Sequence, residues 1–320
     1  MPKLLLALAL ACASITGAQA QAWPDKPVTL LVPFPPGGST DSVARAIAPK
    51  LGEALKQNFI VDNKAGATGT IGAAQVKRSP PDGSIFLVTS LGPLVIAPHL
   101  IKGVQYDALH DFDLITIAVQ APNVLVVPAA SPHKSVADVI AFEKGNPGKM
   151  TFASSGNGSS DHLTAELFWQ QTGTNGLHVP YKGGAPAISD LLGGQVDASF
   201  QNVNAVLQHI RAGKLRALAV TGDKRSPVLP EVPTFDEVGV KNLAVYSWQG
   251  IAAPKGLPAD VRTKAHAAIV AALNDPQVKQ QFTSVGFEIV GNTPAQFTAF
   301  QQKEFARWKT VIDTGKITAD

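Results

Sequence analysis

Hydrophobic positions along the chain switch repeatedly between two periods. Val28-Thr29-Leu30-Leu31-Val32 is a short apolar run of the kind a buried strand shows. Beyond Pro33-Phe34-Pro35-Pro36-Gly37-Gly38-Ser39-Thr40-Asp41, the residues Val43, Ile47, Leu51 and Leu55 recur every four positions, which predicts an amphipathic helix. Further strands are predicted at Phe59 to Val61 and Ser84 to Ser90. A glycine-punctuated loop between them, Asp62 to Gly72, enters a helix through Val76. A less regular segment runs through Tyr106. Two strands are then expected, at Leu114 to Val119 and at Val124 to Val127.

The opening pattern returns later. Met150 to Ala153 reads as a strand, Ser154 to Ser160 as a glycine-containing turn, and Asp161 to Trp169 as a helix. Strands at Val196 to Phe200 and Leu215 to Val220 follow. Trp248 to Ala253 reads as a strand returning to the first unit, and helices are expected at Ala259 to Leu273, Gln277 to Val285 and Pro294 to about Ile312. Phe297, Phe300, Phe305, Trp308 and Ile312 mostly share one face of the last helix, which needs a core to lie on, expected in the first lobe. Such alternation predicts an α/β fold with mostly parallel sheets. Two strand–turn–helix units imply two lobes, the first discontinuous. The expected boundaries are 23–122 with 248–320 for domain 1 and 123–247 for domain 2, with hinge crossings near Pro122 and Ser247.

The beginning of the chain changes this picture. Lys3, the apolar run Leu4 to Ala11 and Ala18-Gln19-Ala20 make residues 1–22 a signal peptide, cleaved near Ala20 or Ala22. Its apolar run is far short of the roughly 20 residues a membrane span requires. Cleavage would remove Cys12, the single cysteine, leaving no disulfide and no thiol chemistry. A formal charge of +3, spread without basic blocks, argues against nucleic acid as a partner.

Each glycine turn has two readings. Phe34 to Asp41 can be a tight helix start capped by Ser39 or Thr40, or an anion cradle, since N–H groups at a helix N-terminus point outward. It lacks the spacing and lysine of a phosphate loop. Gly156-Asn157-Gly158 lacks the third glycine of a dinucleotide fingerprint. There is no G-x-S-x-G elbow, and the histidines show no i, i+4 pairing, so neither a hydrolase triad nor a metal site is expected, and no cofactor. His162 beside Ser159 and Asp161 leaves a hydrolase or isomerase as the minority reading. Tyr181 either packs on its own lobe or lines the cleft, and Asn202 and Asn204 either cap a turn or read the far end of a ligand.

Asp25-Lys26-Pro27-Val28 with Val32 to Asp41 resembles the opening of the tripartite tricarboxylate transporter substrate-binding family, the Bug receptors. The likeness continues through Asn63-Lys64-Ala65-Gly66, Ile71-Gly72, Pro81-Asp82-Gly83, Pro147-Gly148-Lys149 and His178 to Gly183. Asp190 to Asp197, Gly213 to Ala219 and Leu229 to Thr234 extend it over nearly the whole mature chain. It departs at Thr68, where the family usually carries a glycine. The resemblance implies a two-lobed periplasmic-binding-protein fold (type II-like) that closes on a small organic acid and delivers it to membrane permease subunits. A mono- or dicarboxylate, possibly aromatic, would serve. A monomer is expected, and a sensor lobe signalling to a membrane kinase is the alternative. Carried over, the family's carboxylate grip falls on Pro36, Gly37, Gly38, Ser39, Thr40 and Asp41, with Thr89 and Ser90 on a neighbouring strand. Ser154, Ser155, Gly156, Gly158 and Ser159, with His162 behind them, face that grip. Tyr181, Asn202 and Asn204 complete the expected ligand-binding set.

Overall fold

A computed structural model describes residues 23–318. The signal segment with its two candidate cleavage points lies outside the described residues. In chain order the elements are β1 (Val28–Val32), α1 (Ser39–Leu55), β2 (Phe59–Asn63), α2 (Thr70–Lys77), β3 (Ile85–Ser90) and α3 (Ala97–Leu100). Next come β4 (Phe112–Pro128), α4 (Val136–Gly145), β5 (Thr151–Ser154), α5 (Ser160–Thr172), β6 (Leu177–Pro180) and α6 (Gly184–Leu192). The chain closes with β7 (Ala198–Asn202), α7 (Val203–Arg211), β8 (Leu215–Val220), β9 (Tyr246–Pro254), α8 (Ala259–Asn274), α9 (Pro276–Thr283), β10 (Glu288–Ile289) and α10 (Pro294–Gly315). A π-helical turn at Gly92–Ile96 precedes α3. It occupies part of the segment expected to be irregular, because Leu91 to Ala97 are all buried and the chain must satisfy its own backbone there.

Two sheets share one strand. β2, β1, β3 and β9 form the first with the leading half of β4, and β7, β5, β6 and β8 form the second around its trailing half. The two strands expected at 114–119 and 124–127 are therefore one, 17 residues long. Pro122 interrupts no essential bond, since it sits at the last β4–β9 pair, opposite Tyr246. Mostly parallel sheets were expected, but only the outer pairs (β1–β2, β1–β3, β5–β6, β5–β7) are parallel. Every pair involving β4 or β9 is antiparallel, because the chain leaves the first lobe along one and comes back along the other. The two lobes are thus joined by two neighbouring strands, with Ala121 paired to Ser247 and Pro122 to Tyr246.

Val43, Ile47 and Leu51 of α1 pack with Val28, Leu30, Val32, Phe86 and Val88 on one face of the first sheet. The terminal helix was expected on the first lobe alone. It instead lies over both, with Gln301 Nε2 donating to Ala108 O (2.7 Å) and Val311 O accepting from Gln170 Nε2 of α5 (3.0 Å). Trp308, Val311 and Ile312 share a core cluster with Phe152 and Phe168 of the second lobe and with Leu87 and Leu94 of the first.

Candidate functional site

The first-lobe turn leaves its amides open. Its N-cap is Gly38, not Ser39 or Thr40, so no side chain covers the helix start. Gly37 N–H donates to Asp41 Oδ2 (2.9 Å), and Ser42 N–H to Gly38 O (2.9 Å). Among the described residues, the N–H groups of Gly38, Ser39, Thr40 and Asp41 meet no acceptor. Four such groups at the start of a 17-residue helix are a donor arrangement that suits an anion. Pro36, Gly37 and Gly38 are exposed, and a Cβ added at either glycine would meet nothing within 4 Å.

Asp41 belongs to the scaffold of this turn. Its carboxylate is 3% exposed and accepts from Gly37 N–H, Arg45 Nε (2.8 Å) and Asn63 Nδ2 (3.0 Å). Burial pushes the Asp41 carboxyl up, but those hydrogen bonds outweigh it and hold the group below the usual carboxylate range. Asn63 Nδ2 also donates to Phe34 O (3.0 Å), so β2 fixes both ends of the turn. Ser90 ends β3 beside the cradle. Thr89 is fully buried, and its hydroxyl reaches only Ser90 O, at 3.5 Å. Ala67 and Thr68 of the neighbouring loop have φ of 45° and 54°, a left-handed backbone that accounts for the usual glycine at position 68.

The second-lobe turn is closed on itself. Ser155 N–H and Oγ both donate to Asp161 Oδ2 (2.6 Å each), and Gly156 N–H to Ser154 Oγ (3.2 Å). Gly158 N–H donates to His162 Nδ1 (3.0 Å), and Ser159 caps α5 by accepting from His162 N–H (3.3 Å). The expectation of a second open cradle from Ser154 to Ser159 thus meets amides already spent inside the turn. Asp161 is 4% exposed and forms no ion pair within the described residues.

Beneath this turn His162 and His178 stack, with centroids 3.7 Å apart and planes at 6°. His178 Nε2 lies 2.6 Å from Ser154 Oγ, and His162 Nε2 lies 3.6 Å from Glu166 Oε1. Burial, and secondarily the neighbouring His162, pushes the His178 imidazole down to about 3. A ring so hard to protonate is a poor base for the buried Ser154, which weakens a nucleophilic reading of the pair. His162 holds the turn through Nδ1 and has no nucleophile against it.

Tyr181 packs on its own lobe, with its hydroxyl donating to Asp190 Oδ2 (2.7 Å). Asn202 Nδ2 donates to Asn123 Oδ1 on the hinge strand, and Asn123 Nδ2 to Thr164 Oγ1 (2.8 Å). Asn202 therefore braces the hinge side of the second lobe. Asn204 crosses the cleft, its Nδ2 donating to Ser39 Oγ (3.2 Å). Gly158 also meets the opposite lobe, since a Cβ there would lie 2.7 Å from Leu100 Cδ1. A hollow of about 640 Å³ lined by Arg45, Pro49, Asn58 and Ile60 lies on the outer edge of the first lobe, and it receives no helix N-terminus.

Residues 43–317 match the family described as the tripartite tricarboxylate transporter family receptor. The chain belongs to that family. It is 39% identical over 298 residues to BugT of Bordetella pertussis, covering 92% of this chain and 91% of that one. The solved structure of R. palustris Rpa4515 with adipate is 36% identical at a TM-score of 0.85, covering 92% of this chain and 99% of that one. The periplasmic binding protein BugD is 36% identical at a TM-score of 0.82, with 92% and 99% covered. The two-lobed periplasmic-binding-protein fold expected from the sequence is the fold of this family member. Sequence reasoning missed Gln249, a buried residue directly across from Ser90 on β9. Its position between Trp248 and Gly250 in an apolar strand was the one available signal.

Proposed function

We propose that this chain is a periplasmic receptor that closes on a small organic carboxylate and passes it to the permease subunits of a tripartite tricarboxylate transporter. The lobes are 23–122 with 248–320, and 123–247, turning about Pro122 and Ser247. The observation that carries this reading is the open row of N–H groups from Gly38 to Asp41, facing the second lobe at Asn204. The adipate held by Rpa4515 supports a carboxylate as ligand.

Ligand charge is met here by amides and hydroxyls. A hydrogen bond to a charged group contributes roughly 1.5–3 kcal/mol. About four of them give about 6–12 kcal/mol before the costs of closure and immobilisation. A micromolar Kd corresponds to about −8 kcal/mol, so the cradle needs no arginine clamp. Titration of the purified protein with a broad carboxylate panel, read by calorimetry and by small-angle scattering, tests the reading. At least one acid binds with compaction; silence across the panel overturns it. Crosslinking in membranes then identifies a permease, and recovery of a sensor kinase in its place would redirect the delivery step.

A further inference from the structure

The terminal helix α10 divides its partners between the two lobes near its middle. Its first half belongs to the first lobe. Phe297 fills the space over Gly250, where a Cβ would lie 2.6 Å from its ring, and Trp248 meets Phe297 and Phe300 edge-on at 5.5 and 5.7 Å. Gln301 Nε2 donates to Ala108 O (2.7 Å), and His99 Nε2 lies 3.0 Å from Phe305 O. From Arg307 onward the hydrogen bonds change lobe. Arg307 Nη1 donates to Ala244 O (2.6 Å), Val311 O accepts from Gln170 Nε2 (3.0 Å), and a Cβ at Gly315 would lie 3.2 Å from Glu166 Oε2. Glu166 and Gln170 both stand on α5, the helix that starts at the second-lobe turn.

α10 is thus a third bridge, beside the strand crossings at Ala121–Ser247 and Pro122–Tyr246. Pro294 opens it and Gly315 ends it, with no proline or glycine between. Sharp kinks need such residues, so a rotation of the lobes breaks one set of contacts before it bends the helix. The first-lobe set is the more deeply set: Phe297 and Gln301 are buried. The hydrogen bonds to the second lobe run through Arg307 and Gln170, which solvent reaches.

We propose that α10 is a strap between the lobes. Its first half stays on the first lobe, and its second half holds α5 and Ala244 only while the lobes touch as they do here, so it favours that arrangement without any ligand. The proposal rests on the lobe rotation of the receptor reading and makes no use of the carboxylate.

Spin labels on Ala54→Cys of α1 and Lys144→Cys of α4, both exposed, report the interlobe distance in ligand-free protein by pulsed electron resonance. Gln170→Leu and Arg307→Met remove the two donors while keeping side-chain bulk. One net hydrogen bond shifts an equilibrium by about two- to tenfold, so the double variant raises the ratio of separated to touching lobes by about tenfold. Arg225→Ala breaks only the Arg225–Glu237 pair inside the second lobe (2.9 Å) and leaves the distances unchanged. Should either strap substitution misfold, the other alone carries the comparison, with a shift of two- to tenfold. Distances unmoved by loss of the donors, or moved equally by Arg225→Ala, overturn the strap. Silence of every carboxylate alongside donor-dependent distances overturns the ligand reading and leaves the strap in place.

Discussion

Replacing His178 by phenylalanine should remove a specific acid sensitivity from the second lobe. The native ring is held at a pKa of about 3, by burial first and by His162 second. An unfolded chain titrates the same ring near 6.5. A folded pKa depressed below the unfolded one contributes stability that is complete above about pH 6.5 and is lost as pH falls toward 3. At pH 5 the unfolded ring is protonated and the native ring is not, a difference of about 2 kcal/mol at full strength. Solvent reaching the ring screens this, so about 1 kcal/mol is expected. Urea unfolding at pH 7.5 and pH 5.0, in carboxylate-free buffer, measures it. Native protein should lose about 1 kcal/mol more than His178→Phe over that interval, because other groups cancel in the comparison. Phenylalanine keeps a ring against His162, and Ser154 Oγ keeps its contacts with Gly156. Equal losses in the two proteins would refute the assignment of a buried, neutral imidazole at this position.

Gly38→Ala separates binding from folding: the residue has φ −81°, ψ 174° and open space around a Cβ. Its melting temperature should hold, while carboxylate affinity, read by calorimetry, falls about tenfold as the methyl enters the cradle. Gly158→Ala meets Leu100 of the other lobe at 2.7 Å with φ at +73°, so it should lose about 1–2 kcal/mol and resist compaction in small-angle scattering. Thr68→Gly relieves a β-branched residue at φ 54°, and thermal melts should show a gain of roughly 0.5–1 kcal/mol.

Much of this architecture was legible because period and turn chemistry agree. The apolar run at Val28 to Val32, the four-residue spacing from Val43 to Leu55 and the proline-initiated helix at Pro294 each specify one structure locally. The antiparallel hinge was not legible: which strand pairs with which depends on chain direction in three dimensions, and β4 runs unbroken through Pro122 where two separate strands were expected. The two turns were readable as turns, but the partners of their individual amides were not. Gly156, Gly158 and Ser159 look as available as Gly38 and Ser39 in one dimension. Asp161 reaches back to the Ser155 amide, His162 to that of Gly158, and Gly156 and Ser159 donate within the turn itself, as a residue-by-residue reading could not establish.

That difference separates the two turns chemically. Both turns place an aspartate in the first turn of the following helix, and in both the carboxylate folds back onto the preceding backbone. In the first lobe Arg45 lies 2.8 Å from Asp41, partly offsetting its charge, and only the Gly37 amide is consumed, so the rest of the helix start still favours an anion. In the second lobe no cation accompanies Asp161 among the described residues, and a histidine takes up a further amide. Among the described residues only the N–H groups of Ser160 and Asp161 meet no acceptor at the start of α5, so a second carboxylate brought against Asp161 would meet like charge with a shorter row of donors to offset it. The two similar turns are therefore unequal in open amides, four at the start of α1 against two at the start of α5 among the described residues.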